Sequence, residues 1–294
     1  MSSLSDNLLI IKNPDINQVM VKRSVTVKPS TTLLEARDVL FRHKIRRLVV
    51  LNEKEKPVGI ITEKDIARSI YNLGTRSIKS VKVGDFMSKN LITVTKDSTI
   101  YDCAKLMRRH RISSVIVINK DGTLAGLVTK TDLVSVFLTK STVPLKVASI
   151  MTKNVITAAP GDSLLLIESL LINHRISRVV IQRNRRPVGI ITYRDFMPAK
   201  IPHWIAEFAD PKELEEYRRR SVPEFSANQL NYLLPFKAVD IMAPNPITVD
   251  VNDDVGLAAM LMIRNNISGL PVARKGLLVG IITKSDIVKA IAEK

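Results

Sequence analysis

A threonine and an aspartate three residues apart recur four times, each time at the end of an apolar run that contains glycine. The copies are Val58-Gly59-Ile60-Ile61-Thr62-Glu63-Lys64-Asp65, Ala125-Gly126-Leu127-Val128-Thr129-Lys130-Thr131-Asp132, Val188-Gly189-Ile190-Ile191-Thr192-Tyr193-Arg194-Asp195 and Val279-Gly280-Ile281-Ile282-Thr283-Lys284-Ser285-Asp286. A carboxylate in this place can accept two hydrogen bonds from a diol. A hydroxyl at the start of a helix suits an anion, and glycine lets a ligand approach the backbone closely. The same spacing is also that of a capping box, which holds a helix end and needs no ligand. Both readings stand on the residues alone. Bond-breaking chemistry is not indicated, because the sequence has no nucleophile–base pair, metal cluster or phosphate-binding loop motif. The single cysteine, Cys103, excludes a disulfide framework and fits a reducing cytoplasm.

The elements that must position these residues repeat with them. A methionine precedes each threonine by 41 or 42 residues: Met20, Met87, Met151 and Met242. Each is followed by a β-branched run, Val25-Thr26-Val27, Ile92-Thr93-Val94, Ile156-Thr157-Ala158 or Ile247-Thr248-Val249, which reads as a strand. A polar start such as Ser30-Thr31 or Asp97-Ser98 reads as a helix N-cap. Helical spacing of Leu33, Ala36, Leu40 and Phe41 then gives one apolar face, on which Cys103 aligns with Ala36 and Ile167 as a buried small residue. Two apolar strands and a second helix complete a unit of strand, helix, strand, strand, helix. The fold class is therefore α/β, with helices covering the strands. His43, His110 and His174 fall near the end of each first helix, where cations satisfy helix carbonyls. The units span residues 15–75, 80–140, 145–200 and 237–294. Residues 201–236 form an aromatic-rich insertion, favoured as packing rather than base stacking.

Each unit resembles a cystathionine-β-synthase-type (CBS) domain, by its leading methionine, its h-T-V strand and the G-h-h-T-x-x-D that opens the last helix. The resemblance covers about residues 15–196 and 238–294. It implies tandem repeats paired into two Bateman modules, repeat one with two and repeat three with four. It implies a sensor rather than a catalyst, with adenosyl ligands such as AMP, ADP, ATP or S-adenosylmethionine in the clefts. By the same resemblance Thr62, Thr129, Thr192 and Thr283 face phosphate, and Asp65, Asp132, Asp195 and Asp286 hold ribose. Adenine lies near Val25, Ile92, Ile156 and Ile247. The family often carries a phosphate-binding cation before the middle strand. Arg46 and Arg47 in repeat one and Arg178 in repeat three fit that place. Ser113-Ser114 and Ser268-Gly269 do not, which counts against multiply charged ligands in those copies.

The formal charge is +17, and it is unevenly placed. Residues 1–196 hold 33 Lys and Arg against 16 Asp and Glu, whereas residues 197–294 hold 12 of each. A positive field of this kind attracts polyanions, which opens a second reading: RNA binding, through Arg108, Arg109 and Arg111 among others. Only a 3′-terminal nucleotide offers a free 2′,3′-diol, so the terminal adenosine of tRNA is a ligand that would join the two readings. No run approaches a membrane span. A cytoplasmic protein is expected, either closing into a disc alone or stacking as a homodimer.

Overall fold

The computed structural model describes residues 15–72, 79–140, 144–197 and 236–293. In repeat one, α1 (Ile16–Val19) and β1 (Thr26–Val27) lead into α2 (Leu33–Arg42), β2 (Arg47–Leu51), β3 (Pro57–Thr62) and α3 (Glu63–Asn72). Repeat two runs α4 (Val83–Phe86), β4 (Thr93–Thr95), α5 (Ile100–Arg109), β5 (Ser114–Ile118), β6 (Leu124–Thr129), α6 (Lys130–Lys140). Repeat three runs α7 (Val147–Ile150), β7 (Thr157–Ala158), α8 (Leu164–Asn173), β8 (Arg178–Arg183), β9 (Arg186–Thr192), then a single 3-10 turn, Tyr193–Phe196. Repeat four has α9 (Ala238–Ile241), β10 (Ala243–Pro244), β11 (Val249–Asp250), α10 (Val255–Arg264), β12 (Gly269–Arg274), β13 (Leu277–Thr283) and α11 (Lys284–Ala292). The predicted α/β unit is present four times. In repeat three, however, the described residues end in the one-turn 3-10 element instead of a full second helix. The 201–236 insertion lies outside the described residues, apart from Phe236.

Each repeat builds one sheet in which a short leading strand pairs parallel with the middle strand, and the middle strand pairs antiparallel with the last. The registers coincide: Val27 faces Val50, Val94 faces Val117, Ala158 faces Ile181 and Val249 faces Val272. First helices are capped by Thr32, Thr99, Ser163 and Asp254. In the first two repeats the cap falls one or two residues after the polar starts read from the sequence, because the side chain that reaches the helix N–H is the one directly before it. His43, His110 and His174 are the C-cap residues, as expected, and Asn265 takes that place in repeat four. Cys103 is fully buried, and burial pushes its thiol up to about 12.

The repeats are interleaved rather than stacked like beads. Ile16 and Met20, which lead repeat one, are buried in the core of repeats two and four, while Val83, which leads repeat two, is buried in the core of repeats one and three. Val147 and Ala238 cross in the same way between repeats three and four. Backbone bridges fix the exchange: Val21 with Leu127, Ser88 with Ile60, Thr152 with Ile281, and β10 with Gly189 and Ile190. Repeats one and two therefore form one module and repeats three and four the other, as the two-module expectation required. The two cores then run between modules, one joining repeats two and four and the other joining one and three. No described helix is long and apolar enough to cross a membrane.

Candidate functional site

At all four turns the threonine and aspartate grip each other. Asp65 Oδ2 accepts from the Thr62 N–H (2.9 Å) and from Thr62 Oγ1 (2.7 Å), and the threonine hydroxyl in turn accepts from the Asp65 N–H (3.3 Å). Asp132, Asp195 and Asp286 receive the same two bonds, at 2.6–2.8 Å. The capping reading is thus realised in every copy. It does not exclude a ligand, because each cap uses one carboxylate oxygen. Oδ1 has no hydrogen-bond partner among the described residues at Asp65, Asp132 and Asp195, whereas at Asp286 it accepts from Thr152 Oγ1 (3.1 Å). All four threonine hydroxyl protons are committed to the aspartates, so toward an anion these turns offer helix N–H groups and neighbouring cations rather than the hydroxyl. Burial, opposed by the threonine bonds, raises the carboxyl pKa of Asp65, Asp132 and Asp195.

The motif glycines serve a different purpose from the one expected. A Cβ at Gly59 would overlap Met87 Sδ, one at Gly189 would overlap Met242 Sδ, and one at Gly280 would stand 2.7 Å from Met151 Sδ. At Gly126 the backbone of Val21 and the Met20 sulfur fill the space, at 2.8 and 3.2 Å. The close approach is made by the partner repeat's leading methionine, not by a ligand. Of the predicted adenine-side residues, Val25 and Ile92 are half-buried and pack on the cores, Ile156 is half-buried, and Ile247 is exposed. Val25, Ile92 and Ile156 directly precede the short leading strands, and Ile247 stands two residues before its own.

Cations gather where the turns of different repeats meet. Arg46 donates to the Ser268 hydroxyl and to the Asn266 carbonyl (2.9 Å), both in repeat four. Arg47 donates to the Ser113 carbonyl in repeat two. Arg178 donates to the Ser268 carbonyl (2.9 Å) and hydroxyl (2.7 Å), in the space that Gly269 leaves free. The serines at the non-basic copies are therefore what the arginines hold. Sequence reasoning missed the residues that follow each threonine. Lys130 donates to Ser285 Oγ (2.8 Å) and Lys284 to Thr131 Oγ1 (3.0 Å), a reciprocal pair between repeats two and four. Between repeats one and three the same places hold Glu63, 3.4 Å from Arg194 Nε, and Tyr193, whose ring lies 5.5 Å below the Lys64 ammonium. The signal was present in the variable positions of Thr-x-x-Asp, where two of four copies carry lysine directly after threonine.

Crowding and burial define the electrostatics of this centre. Burial, reinforced by neighbouring arginines, pushes Lys130 and Lys284 down to about 8 and Arg47 and Arg178 down to about 10. Burial raises Glu63, against the pull of Arg46 and Arg194. Such a concentration of like charge is stabilised by any anion that enters it. Some of the basic excess seen in the sequence is thus interior. Arg108, Arg109 and Arg111 are on the outside, at and just after the end of α5, with Arg108 3.3 Å from Glu293. No group of His, Cys, Asp or Glu suited to a metal occurs among the described residues.

The family model described as "CBS domain" matches residues 16–72, 83–139, 147–201 and 238–293. The uncharacterized protein MJ1225 of Methanocaldococcus jannaschii is 27% identical over 285 residues, covering 92% of this chain and 96% of that protein. Its crystal structure, described as a candidate archaeal homolog of g-AMPK, superposes with a TM-score of 0.77 at 25% identity, covering 94% of this chain and 99% of that one. A conserved protein of Pyrococcus horikoshii shares the fold, with a TM-score of 0.59 at 20% identity over 94% of this chain and 99% of that one. A second Methanocaldococcus jannaschii protein, MJ1404, is 27% identical over 97% of this chain, which spans 63% of its length.

Proposed function

The chain belongs to the CBS-domain family, and from that premise we propose that it is a non-catalytic regulatory protein that binds adenine nucleotides in the clefts between paired repeats. The observation that carries this reading is the arrangement at the turns. At Asp65, Asp132 and Asp195 the capped aspartate keeps an outer oxygen available for a ribose diol, at Asp286 that oxygen already accepts one bond from Thr152 and has a lone pair left for a second, and all four face a shared cationic centre. AMP, ADP and ATP supply the two groups that this arrangement complements, a cis-diol and a phosphate. The similarity to a candidate homolog of g-AMPK agrees with an output made through a protein partner.

Isothermal titration with AMP, ADP, ATP and S-adenosylmethionine tests the proposal, together with melting curves. A ligand selective for the native state raises stability by about 2.7 kcal/mol at a hundredfold excess over its Kd. Binding that weakens when either ribose hydroxyl is removed supports the diol role of the aspartates. The absence of heat and of any melting shift with all four ligands at millimolar concentration rules the reading out.

The exposed basic side chains Lys105, Arg108, Arg109 and Arg111 favour one alternative, RNA binding with the terminal adenosine of tRNA in a cleft. The two readings separate in one competition. AMP displaces tRNA, and trimming the last adenosine weakens tRNA, only if an RNA end enters a cleft. Binding that is equal for trimmed and intact tRNA and falls steeply with salt reports phosphate contacts alone.

A further inference from the structure

The four clefts have the same frame but different furniture. Each aspartate is approached by the residue at the middle-strand start of its module partner and by the residue after threonine in the facing repeat. At Asp132 these are Arg47, which donates to the Ser113 carbonyl that also receives the Lys130 N–H, and Lys284, which donates to Thr131 Oγ1 beside the carboxylate. At Asp286 they are Arg178, which donates to the Ser268 carbonyl that also receives the Lys284 N–H, and Lys130, which donates to Ser285 Oγ beside the carboxylate. The two clefts are pseudo-symmetric, with one arginine and one lysine each.

The other two clefts lack this pair. At Asp195 the corresponding places hold Gly269 and Glu63, and Glu63 adds a negative charge facing Asp195. Arg46 and Arg194 are within electrostatic reach of Asp195, but Glu63 lies 3.4 Å from Arg194 and within reach of Arg46, so it offsets part of their charge. At Asp65 the places hold Ser114 and Tyr193, and the cations near that carboxylate, Lys64 and Arg68, belong to its own helix.

We infer that the chain sorts its four clefts by charge: phosphorylated adenine nucleotides occupy the clefts of Asp132 and Asp286, two per chain, and the clefts of Asp65 and Asp195 reject the phosphate. This rests on the adenine-nucleotide reading above and adds the number and identity of the sites. The residue that faces the carboxylate from the other module is a lysine at Asp132 and Asp286, whereas at Asp195 it is Glu63, which offsets the charge of Arg46 and Arg194, and at Asp65 it is the uncharged Tyr193. Lys130 and Lys284 determine this specificity.

The test is the count of AMP bound at saturation by equilibrium dialysis of the full chain, with adenosine in parallel. Two equivalents of AMP are expected, with one lost in Asp132→Ala, one lost in Asp286→Ala and none lost in Asp65→Ala or Asp195→Ala. In the Asp286→Ala background, Lys284→Gln should weaken the remaining equivalent by about tenfold or more, the worth of a charged hydrogen bond, and Lys130→Gln should leave it unchanged. Adenosine affinity should not respond to either lysine. Should an aspartate variant fail to fold, the lysine variants in the unmutated chain decide the matter, each weakening one of two equivalents. Any AMP count other than two overturns the inference, as does loss of an equivalent through Asp65 or Asp195, while nucleotide binding itself survives. If neither AMP nor adenosine binds, the nucleotide reading fails and this inference fails with it.

Discussion

At the scale of single residues, one buried carboxyl stands outside the ligand clefts. Glu168 on α8 occupies the helix position held by alanine in repeats two and four. It is 2% exposed, and its Oε2 has no hydrogen-bond partner among the described residues. Burial pushes its pKa from the usual 4.5 up to about 7, with Arg68 pulling the other way. A folded pKa above the unfolded one means that the native state holds the proton more tightly. The resulting stability is complete below about pH 4.5 and is lost as pH rises through about 7. Glu168→Gln should flatten this slope and be more stable than the unmutated chain by about 3 kcal/mol at pH 8, with little difference at pH 4. Urea melts at the two pH values check it, and an unchanged pH profile in Glu168→Gln refutes it.

At the scale of elements, the leading helices carry the architecture, because each delivers a methionine to the glycine of its module partner. The contact between Gly59 and Met87 is therefore a contact between repeats. Gly59→Ala should destabilise by about 1–3 kcal/mol through overpacking. Met87→Ala should cost about 2–5 kcal/mol through the lost burial. Combined, the two should cost at least about 1 kcal/mol less than their sum, since the small side chain makes room for the added methyl. Strictly additive melts would show that these residues do not meet and that the exchange of leading segments is wrong.

At the scale of the whole molecule, two modules bring four helix starts and cations from every repeat to one place. Lys130 and Lys284, pushed down to about 8, are partly neutral above that pH. An entering phosphate stabilises the charged ammonium and raises its pKa. AMP binding at pH 9 should thus take up protons, and it should take up fewer at pH 7. AMP affinity should fall as pH rises through about 8, while adenosine affinity stays flat. Titration calorimetry in buffers of different ionisation enthalpy measures the uptake. Heats that do not depend on buffer at pH 9 would place the bound phosphate away from both lysines.

The repeat, its strand and helix order and the capping aspartates were legible in the sequence, because each depends on local spacing: period two for strands, 3.6 for helices, three residues for a cap. The C-cap histidines were legible for the same reason. The purpose of the motif glycines was not. Gly59 and Met87 are 28 positions apart and belong to different repeats, so only the exchange of leading segments shows that a methionine fills the missing side chain. Nor could spacing reveal that Ser113 and Ser268, read as departures from a basic pattern, are the acceptors of Arg47 and Arg178. The lysines after Thr129 and Thr283 fill variable positions of the motif, for which the repeat pattern specifies no role. Facing of repeats two and four turned them inward, and that facing is decided by the packing of apolar helix faces between modules, a long-range choice that no local pattern encodes.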